Sequence, residues 1–561
     1  MGSIQPIDAS AWNLAAARHL LNRAGFGAPL ALAQQLATMT PDAAVDYLVN
    51  YEGVDFNFPE PDFLVAAKTG KERQIERKGL NDEERRELQQ KWQREERQAV
   101  QELRNWWLQR MRTTPRPLEE KMTLFWHGHF ATSAQKVKSS AHNYGLNAVF
   151  RNQATGNFKT LVTEVGQSPA MLRYLDNDRS TKAKPNENWA RELMELFTLG
   201  QGQYTEDDIK QLARAFTGWS SNGQDYVFNL QNHDMGTKTF LGHTGDYDGW
   251  EAIDVLFQQE ALPKFITTKL WHYFGSEETD AEVVAALSNT FRDSNFELKP
   301  VLRQLFLSQA FYADDIRATQ IKSPTQLVIK LTHDLQLNTV PPTAMVQAAA
   351  SLGQNILHPP NVKGWDGNQA WINANTLLLR YNLPENLLSA AARGQNQMMV
   401  GGGDAMMMAG QDESTMMASA EAKGWKKGEK GGADDAIRTQ VREKMKTLPK
   451  EERQAKVKIL RTGNPAQKKA LLLELGIEPP KERNMLQETV EALSFSTAGE
   501  CVDQLAHLLL DVPISAEQKN TLLAVLEAAD AGAPVTPKEL SVEKQQQVFH
   551  ILTSMAEYQL C

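Results

Sequence analysis

The sequence predicts a mainly α-helical protein: a large multi-helix domain with a small irregular or hairpin segment near residues 220–249. Three observations lead to this prediction. Between residues 12 and 393, apolar side chains recur mostly at the three- and four-residue spacing of amphipathic helices. Several of these stretches begin at a capping residue and end at glycine. Residues 220–249 lack the helical period and are rich in Gly, Asn and Asp.

The composition bounds the class of protein. Of 561 residues, 41% are hydrophobic and 23% are charged, as is usual for a soluble globular protein. The net charge of −9 argues against bulk nucleic-acid binding. No apolar run is long enough for membrane insertion and no signal peptide is visible, so a cytoplasmic protein and one exported with a partner both remain open. Cys501 and Cys561 make neither a disulfide framework nor a cysteine metal site.

The first 130 residues contain four predicted helices. They cover residues 12–24, residues 41–51, a long charged stretch over 81–112, and a helix that starts near Pro117. Asn81 and Glu84 form a capping signal for the long helix. Gly128 lies between His127 and His129 and is expected to interrupt or end the fourth helix. Without such a break, the two imidazoles would point about 200° apart and could not reach one point.

The best-marked predicted helix begins after the N-cap Asn186 and ends at Gly200. One of its faces is apolar, and the other carries Glu187, Asn188, Arg191, Glu192, Glu195 and Thr198. Glu187, Arg191 and Glu195 follow one another at four-residue spacing, so the guanidinium is expected between two carboxylates. This polar face is either a solvated ion ladder or the lining of a site.

A second helix follows, with Thr205 and Asp208 as its capping box and Gly218 as its end. Residues 250–333 return to helices with apolar stripes. Residues 357–367 contain two prolines and two glycines, which is typical of a rigid loop that shapes a site.

The predicted organisation has three parts: a helical core over 12–393, a low-complexity Met/Gly/Lys-rich and charged-helical insertion over 394–485, and C-terminal helices over 486–561 that complete the core. Methionine clusters in the insertion could bind Cu(I) through their thioethers. No His or Cys lies among them, so a linker is the simpler interpretation.

Six separated motifs carry a resemblance to a known family. They lie at 19–27, 125–130, 185–197, 204–208, His233–Asp234 with Lys238, and 359–365. In this order they resemble a large bacterial family known as domain of unknown function eighteen hundred. The resemblance implies a mostly helical fold. It also implies a sulfatase-like partner protein, because members are often encoded beside one, and that partner family tends to carry an export signal.

Four of the candidate functional side chains are of the types that bind metals. His127, His129, His233 and Asp234 are the candidate ligands. Three imidazoles with a carboxylate form the donor set of a Zn²⁺ site or of a non-haem Fe or Mn site, and such a metal would acidify a bound water. The spacing does not match a compact ligand motif, and each histidine could equally be a core residue.

The candidate catalytic residues are Glu187, Arg191, Glu192, Glu195, Lys238 and Lys363. Neighbouring carboxylates suit acid–base catalysis because they push their pKa values apart. The two lysines are expected at the rim. The leading hypothesis is an enzyme with a polar cleft, with or without a divalent metal, that hydrolyses a polymer or an anionic ester. The alternative is a non-catalytic scaffold or export partner of a sulfatase-like protein.

Overall fold

The computed structural model describes residues 3–66, 70–400, 465–477 and 493–561, together with residues 490–491 and parts of 440–459. Within that part of the chain most residues are helical, which confirms the predicted mainly α fold. None of the described helices is both long and apolar enough to cross a lipid bilayer. Most of the predicted insertion, including nearly all of its methionine clusters, lies outside the described residues.

The helices of the first half are α1 (Leu14–Ala24), α2 (Leu30–Ala37), α3 (Pro41–Val49), α4 (Phe63–Ala66), α5 (Gly70–Arg77), α6 (Asp82–Thr113), α7 (Pro117–His129), α8 (Ala134–Val137), α9 (Ser140–Asn152), α10 (Phe158–Gln167), α11 (Pro169–Tyr174), α12 (Glu187–Glu192) and α13 (Glu206–Ala215). Short 3₁₀ turns occur at Tyr51–Gly53 and Asn177–Arg179, and a π-helical turn occurs at Leu193–Thr198. The long charged helix α6 has the predicted capping box, in which Asn81 and Glu84 each bond the other's backbone N–H. The helices predicted near the N-terminus correspond to α1 and α3.

Two short antiparallel hairpins occupy the segment for which irregular or hairpin structure is predicted. Their strands are β1 (Trp219–Ser221), β2 (Tyr226–Phe228), β3 (Lys238–Phe240) and β4 (His243–Gly245). Ser220 lies opposite Val227 in the first hairpin, and Thr239 lies opposite Thr244 in the second. The expected change of structure in this segment is confirmed.

The helices of the second half are α14 (Gly249–Phe257), α15 (Ala261–Phe274), α16 (Ala281–Asp293), α17 (Leu298–Leu307), α18 (Pro324–Asp334), α19 (Pro342–Ser351), α20 (Ala374–Val400), α21 (Pro465–Glu474), α22 (Ala498–Leu509), α23 (Ala516–Val525) and α24 (Val542–Ser554). Further 3₁₀ turns lie at Gln309–Tyr312, Asn368–Trp371 and Glu557–Gln559.

The apolar side chains are buried in two large clusters. The first gathers α1–α3 and α7–α17 with the π turn. The second joins α6, α18, α19 and α20 to α22, α23 and α24, so helices far apart in sequence share one core. A small third cluster connects Val441 and Met445 with Leu471, Leu472 and their neighbours. Burial in these clusters is the main stabilising contribution to the fold.

A buried polar network attaches the C-terminal segment to the start of α18. Lys322 donates a hydrogen bond from Nζ to the carbonyl oxygen of Tyr558 at 2.8 Å. The Tyr558 hydroxyl donates to Asp334 at 2.8 Å. Cys561 and Gln320 exchange backbone hydrogen bonds of 2.9 and 3.3 Å. These bonds join Tyr558 and Cys561 of the segment to α18 and the residues before it.

Candidate functional site

The His127–Gly128–His129 segment, called the histidine clasp below, lies in the last turn of α7. The helix ends at His129, and Phe130 still donates its N–H to Trp126 at 2.8 Å, so the expected break at Gly128 is absent. Nearly every residue of α7 is buried, and this packing outweighs the roughly 1 kcal/mol that a glycine costs inside a helix. The two imidazoles therefore point in different directions and do not converge.

His127 reaches residues 357–367, which are called the proline-rich loop below. Its Nε2 accepts a hydrogen bond from the backbone N–H of Leu357 at 3.0 Å, and burial together with His358 lowers the pKa of His127 to about 3. A neutral imidazole has a single lone-pair nitrogen, and in His127 this backbone bond already uses it. Leu357 has a positive φ of 63°, so His127 stabilises a backbone conformation that leucine seldom adopts.

His129 reaches the π turn. Its Nε2 donates to the carbonyl oxygen of Phe197 at 3.0 Å, because a carbonyl can only accept. Its Nδ1 is buried without a hydrogen-bond partner among the described residues. Burial, with a smaller contribution from Lys269, keeps the pKa of His129 well below its ordinary value. His129 is thus a neutral residue that anchors one end of the π turn.

Gly128 completes the clasp by close contact with Gly364 of the proline-rich loop. Gly364 has φ of +80°, and a Cβ there would overlap the Gly128 carbonyl oxygen and lie 3.1 Å from its carbonyl carbon. Only glycine allows this approach without strain. The clasp therefore contacts two segments at once: the loop that carries Lys363 and the π turn that carries Glu195.

The best-marked predicted helix is present, but it changes type after its first turns. Asn186 caps α12 as expected, and Gly200 has φ of +86°. The segment Leu193–Thr198 is π-helical, and Leu199 donates its N–H to the carbonyl of Met194, five residues earlier. A π turn holds more residues than an α turn, so side chains beyond it leave the four-residue spacing.

The expected ladder of Glu187, Arg191 and Glu195 is therefore wrong in its last member. Arg191 binds both oxygens of Glu206 at 2.8 Å and lies 3.5 Å from Glu187. Its hydrogen bond to Glu206 holds the pKa of that carboxyl below the ordinary value. These groups are exposed or half-exposed, and such pairs contribute little to stability.

Glu195 turns instead toward the start of α13. Its oxygens accept hydrogen bonds from the Tyr204 hydroxyl at 3.0 Å and from the Gln201 amide at 2.8 Å. Tyr204 belongs to the motif at residues 204–208, but it was not among the residues predicted for the site. Its proximity to Glu195 depends on the π turn, for which no sequence signal was recognised.

Glu192 lies beside this pair and is half-buried. Among the described residues nothing hydrogen-bonds its carboxyl group. Burial raises its pKa and so does the charge of Glu195, while Arg191 and Lys363 act in the opposite direction. Lys363 is exposed on the proline-rich loop. Glu192, Glu195, Tyr204 and Lys363 are the candidate site, called the candidate cleft below. The histidine clasp bonds the backbone of the two segments that carry Glu195 and Lys363.

The predicted residues His233, Asp234 and Lys238 form a separate cluster. His233 donates from Nδ1 to the Thr217 carbonyl at 2.8 Å. The guanidinium of Arg214 hydrogen-bonds Asp234 at 2.7 Å and lowers the pKa of that carboxyl. Lys238 is buried and donates to the Asp234 carbonyl at 2.6 Å, and burial lowers its pKa. These bonds fasten the β3–β4 hairpin to α13.

The four predicted metal ligands thus lie in three places: His127 at the loop, His129 at the π turn, and His233 with Asp234 at the hairpin. Throughout the described ranges, no group of three or more His, Cys, Asp or Glu side chains is arranged to hold a metal ion. The four residues named from the sequence are therefore not brought together around one point in this structure.

Comparison with known proteins agrees with the motifs. Residues 19–560 match the family described as protein of unknown function DUF1800. The chain belongs to this family. Neither a search of curated proteins nor a search of solved structures gives a match.

Proposed function

We propose that the candidate cleft is the active site of a hydrolase that cleaves a polymer or an anionic ester by acid–base catalysis. The observation that supports this most is the unlike environment of two neighbouring carboxyl groups. Glu192 is half-buried, has a raised pKa and has no hydrogen-bond partner in the described structure. Glu195 accepts two hydrogen bonds. Carboxyl pairs with different environments are a common basis for separate acid and base roles.

The roles follow from the contacts. Glu192 is the general acid and donates its proton to the oxygen of the leaving group as the bond to that oxygen breaks. Glu195 is the general base and takes a proton from the attacking water. Tyr204 orients the Glu195 carboxylate by its hydrogen bond. Lys363 offers a positive charge to an anionic substrate group or to a developing oxyanion.

The histidine clasp acts on this chemistry only by position. It bonds the backbone of the two segments that carry Lys363 and Glu195, at Leu357 and at Phe197. A site needs its groups held to within a fraction of an ångström, and backbone anchors of this kind provide such restraint. We therefore treat His127 and His129 as positioning residues.

The test is a hydrolysis panel with matched variants. The panel measures reducing-end release from neutral and acidic polysaccharides and product release from p-nitrophenyl esters of carboxylic, phosphoric and sulfuric acids. We expect Glu192→Gln and Glu195→Gln to lose about 10²–10⁴-fold of the rate, the usual contribution of a general acid or base. Glu282→Gln, at an exposed position on α16, is the control and should keep the rate.

Retained activity in both cleft variants, or no hydrolysis of any panel member by the unaltered protein, would overturn the assignment. Melting temperatures of all variants, which should stay within about 2 °C of one another, separate loss of chemistry from loss of folding.

A second candidate function is that of a scaffold or export partner for a sulfatase-like protein. It is supported by the outer face of α20, where Leu377, Leu378 and Tyr381 are 56%, 62% and 51% exposed while Arg380 is buried. Arg380 donates to the carbonyl of Lys322 at 2.9 Å, so the charged residue points inward and the apolar residues point outward. Large exposed apolar groups of this kind often mark protein interfaces.

Co-expression with a sulfatase-like protein encoded beside the gene tests this candidate. Leu378→Ser should abolish co-elution of the two proteins, whereas Leu230→Ser, at an apolar residue that is 61% exposed elsewhere, should not. Separate elution of the two unaltered proteins would remove the candidate.

A further inference from the structure

The side-chain amine of Lys269 is chemically distinctive, and it is independent of the carboxyl groups of Glu192 and Glu195. Lys269 lies on α15, and its Nζ sits 4.9 Å from the centroid of the Phe265 ring, one turn earlier on the same helix. Its side chain is half-buried. Among the described residues it forms no ion pair and no hydrogen bond. Most lysines in such positions have a carboxylate or carbonyl partner. The amine of Lys269 has neither among the described residues.

The surroundings of Lys269 are apolar on one side and offer a proton acceptor on the other. Phe265 packs against the end of the π turn, where a Cβ on Gly200 would lie 2.9 Å from its ring. His129 is close enough for the charge of Lys269 to lower its pKa. The Nδ1 of His129 holds a lone pair that is buried and unpartnered. An imidazole base and an unpaired amine therefore lie near each other behind the π turn.

We propose that Lys269 is a reactive amine site that forms covalent imines with aldehydes or ketones. The Nζ lone pair attacks the carbonyl carbon, and the carbonyl oxygen becomes a hydroxyl group after taking a proton. This oxygen then leaves as water together with the two hydrogens that the amine carried. A carbon–nitrogen double bond remains. The apolar wall formed by Phe265 suits an aromatic or aliphatic carbonyl compound rather than a highly charged one.

The ionisation of the amine supports the proposal. Burial lowers the pKa of Lys269 to about 8, against an ordinary value of 10.5. At pH 7.4 this change raises the fraction of uncharged amine about 250-fold. An amine of lower pKa is also a weaker nucleophile, so the net gain in rate is smaller, and we expect about tenfold.

The chain contains two lysines that separate the contributions of access and ionisation. Lys264 lies on the same helix and is exposed. Lys121 is buried, and burial lowers its pKa to about 8 as well. Exposure alone would favour Lys264, and a lowered pKa alone would favour Lys121 as much as Lys269. Of these three lysines, only Lys269 combines partial exposure with a lowered pKa, so faster reaction at Lys269 alone requires both properties.

The experiment treats the full chain with benzaldehyde and sodium cyanoborohydride at pH 7.4, which converts any imine to a stable secondary amine, and maps the products by peptide mass spectrometry. We expect modification of Lys269 to be about tenfold faster than that of Lys264 and Lys121. At pH 10.5 the advantage over Lys264 should fall to about twofold or less. Lys269→Arg should remove the fast-reacting peptide while the melting temperature stays unchanged.

Equal rates at Lys269 and Lys264 at pH 7.4 would overturn the proposal. So would a rate at Lys121 equal to that at Lys269, because reactivity would then follow ionisation without any site. These outcomes are independent of the hydrolysis panel, which uses neither aldehyde nor reductant.

Discussion

The contact between Gly364 and Gly128 gives the sharpest test of how the cleft is held. Gly364→Ala adds a methyl group that overlaps the Gly128 carbonyl oxygen, which is backbone and cannot rotate away. Gly242→Ala, in the two-residue turn between β3 and β4, is the control. Gly242 has nearly the same φ, +79°, but a Cβ there meets nothing within 4 Å.

Two contributions determine the size of the effect. Placing alanine in the left-handed region costs about 1–2 kcal/mol, and both variants share this cost. Forcing an extra methyl group into a packed contact costs about 1–3 kcal/mol more, and only Gly364→Ala incurs it. The expected difference between the two variants is therefore about 1–3 kcal/mol in the free energy of unfolding.

Urea unfolding followed by tryptophan fluorescence measures this difference. Hydrogen exchange gives a local readout, because the overlap should push the loop off the clasp and break the bond from the Leu357 N–H to His127. We expect the Leu357 amide to exchange faster in Gly364→Ala and to stay protected in Gly242→Ala. Equal unfolding midpoints together with equal Leu357 protection would refute this account of the clasp.

Two further predictions concern residues of α7. Glu120 is fully buried between Arg110 and Arg151, so Glu120→Ala should lower the free energy of unfolding by about 3–5 kcal/mol in urea titrations. Burial opposes the ionisation of Glu120, yet Arg151 and Arg110 outweigh this effect and hold the pKa of Glu120 below 4.5. The stabilising contribution of the Glu120 carboxylate should therefore be present above pH 4.5 and lost as the pH falls further. A Glu120→Gln variant that keeps the same acid-induced loss of stability would contradict this. Gly128→Ala should be tolerated or stabilising by roughly 0.5–1 kcal/mol, because a Cβ there meets nothing within 4 Å and alanine favours the helix; a loss of more than about 1 kcal/mol would contradict the continuous helix α7.

Features that depend on local hydrogen bonding could be predicted from the sequence. Asn81 with Glu84, and Thr205 with Asp208, form capping boxes whose partners are three residues apart, so the pattern alone identifies them. Asn186 likewise caps its helix. The loss of helical period after Gly218 correctly indicated an irregular or hairpin segment, since that change is also a local property.

Features that depend on tertiary packing could not be predicted in the same way. The π turn places Glu195 beside Tyr204 instead of Arg191, and its carbonyl at Phe197 is bound by a histidine 68 residues earlier. Nothing within the helix itself signals that partner. The directions of His127 and His129 likewise depend on whether packing keeps Gly128 helical. Grouping residues by their chemical type therefore placed the imidazoles together, whereas their packing partners separate them.

The attachment of the C-terminal segment to residues near Gln320 has a consequence for synthesis. Their hydrogen-bonded pairing joins positions 241 residues apart, and Arg18 of α1 similarly binds Asp511. A ribosome adding about 5–20 residues per second takes roughly 12–48 s to span the first of these gaps. For that interval the nascent chain exposes helices whose final partners do not yet exist. Such exposed surface is prone to aggregation, and chaperones act on surfaces of this kind.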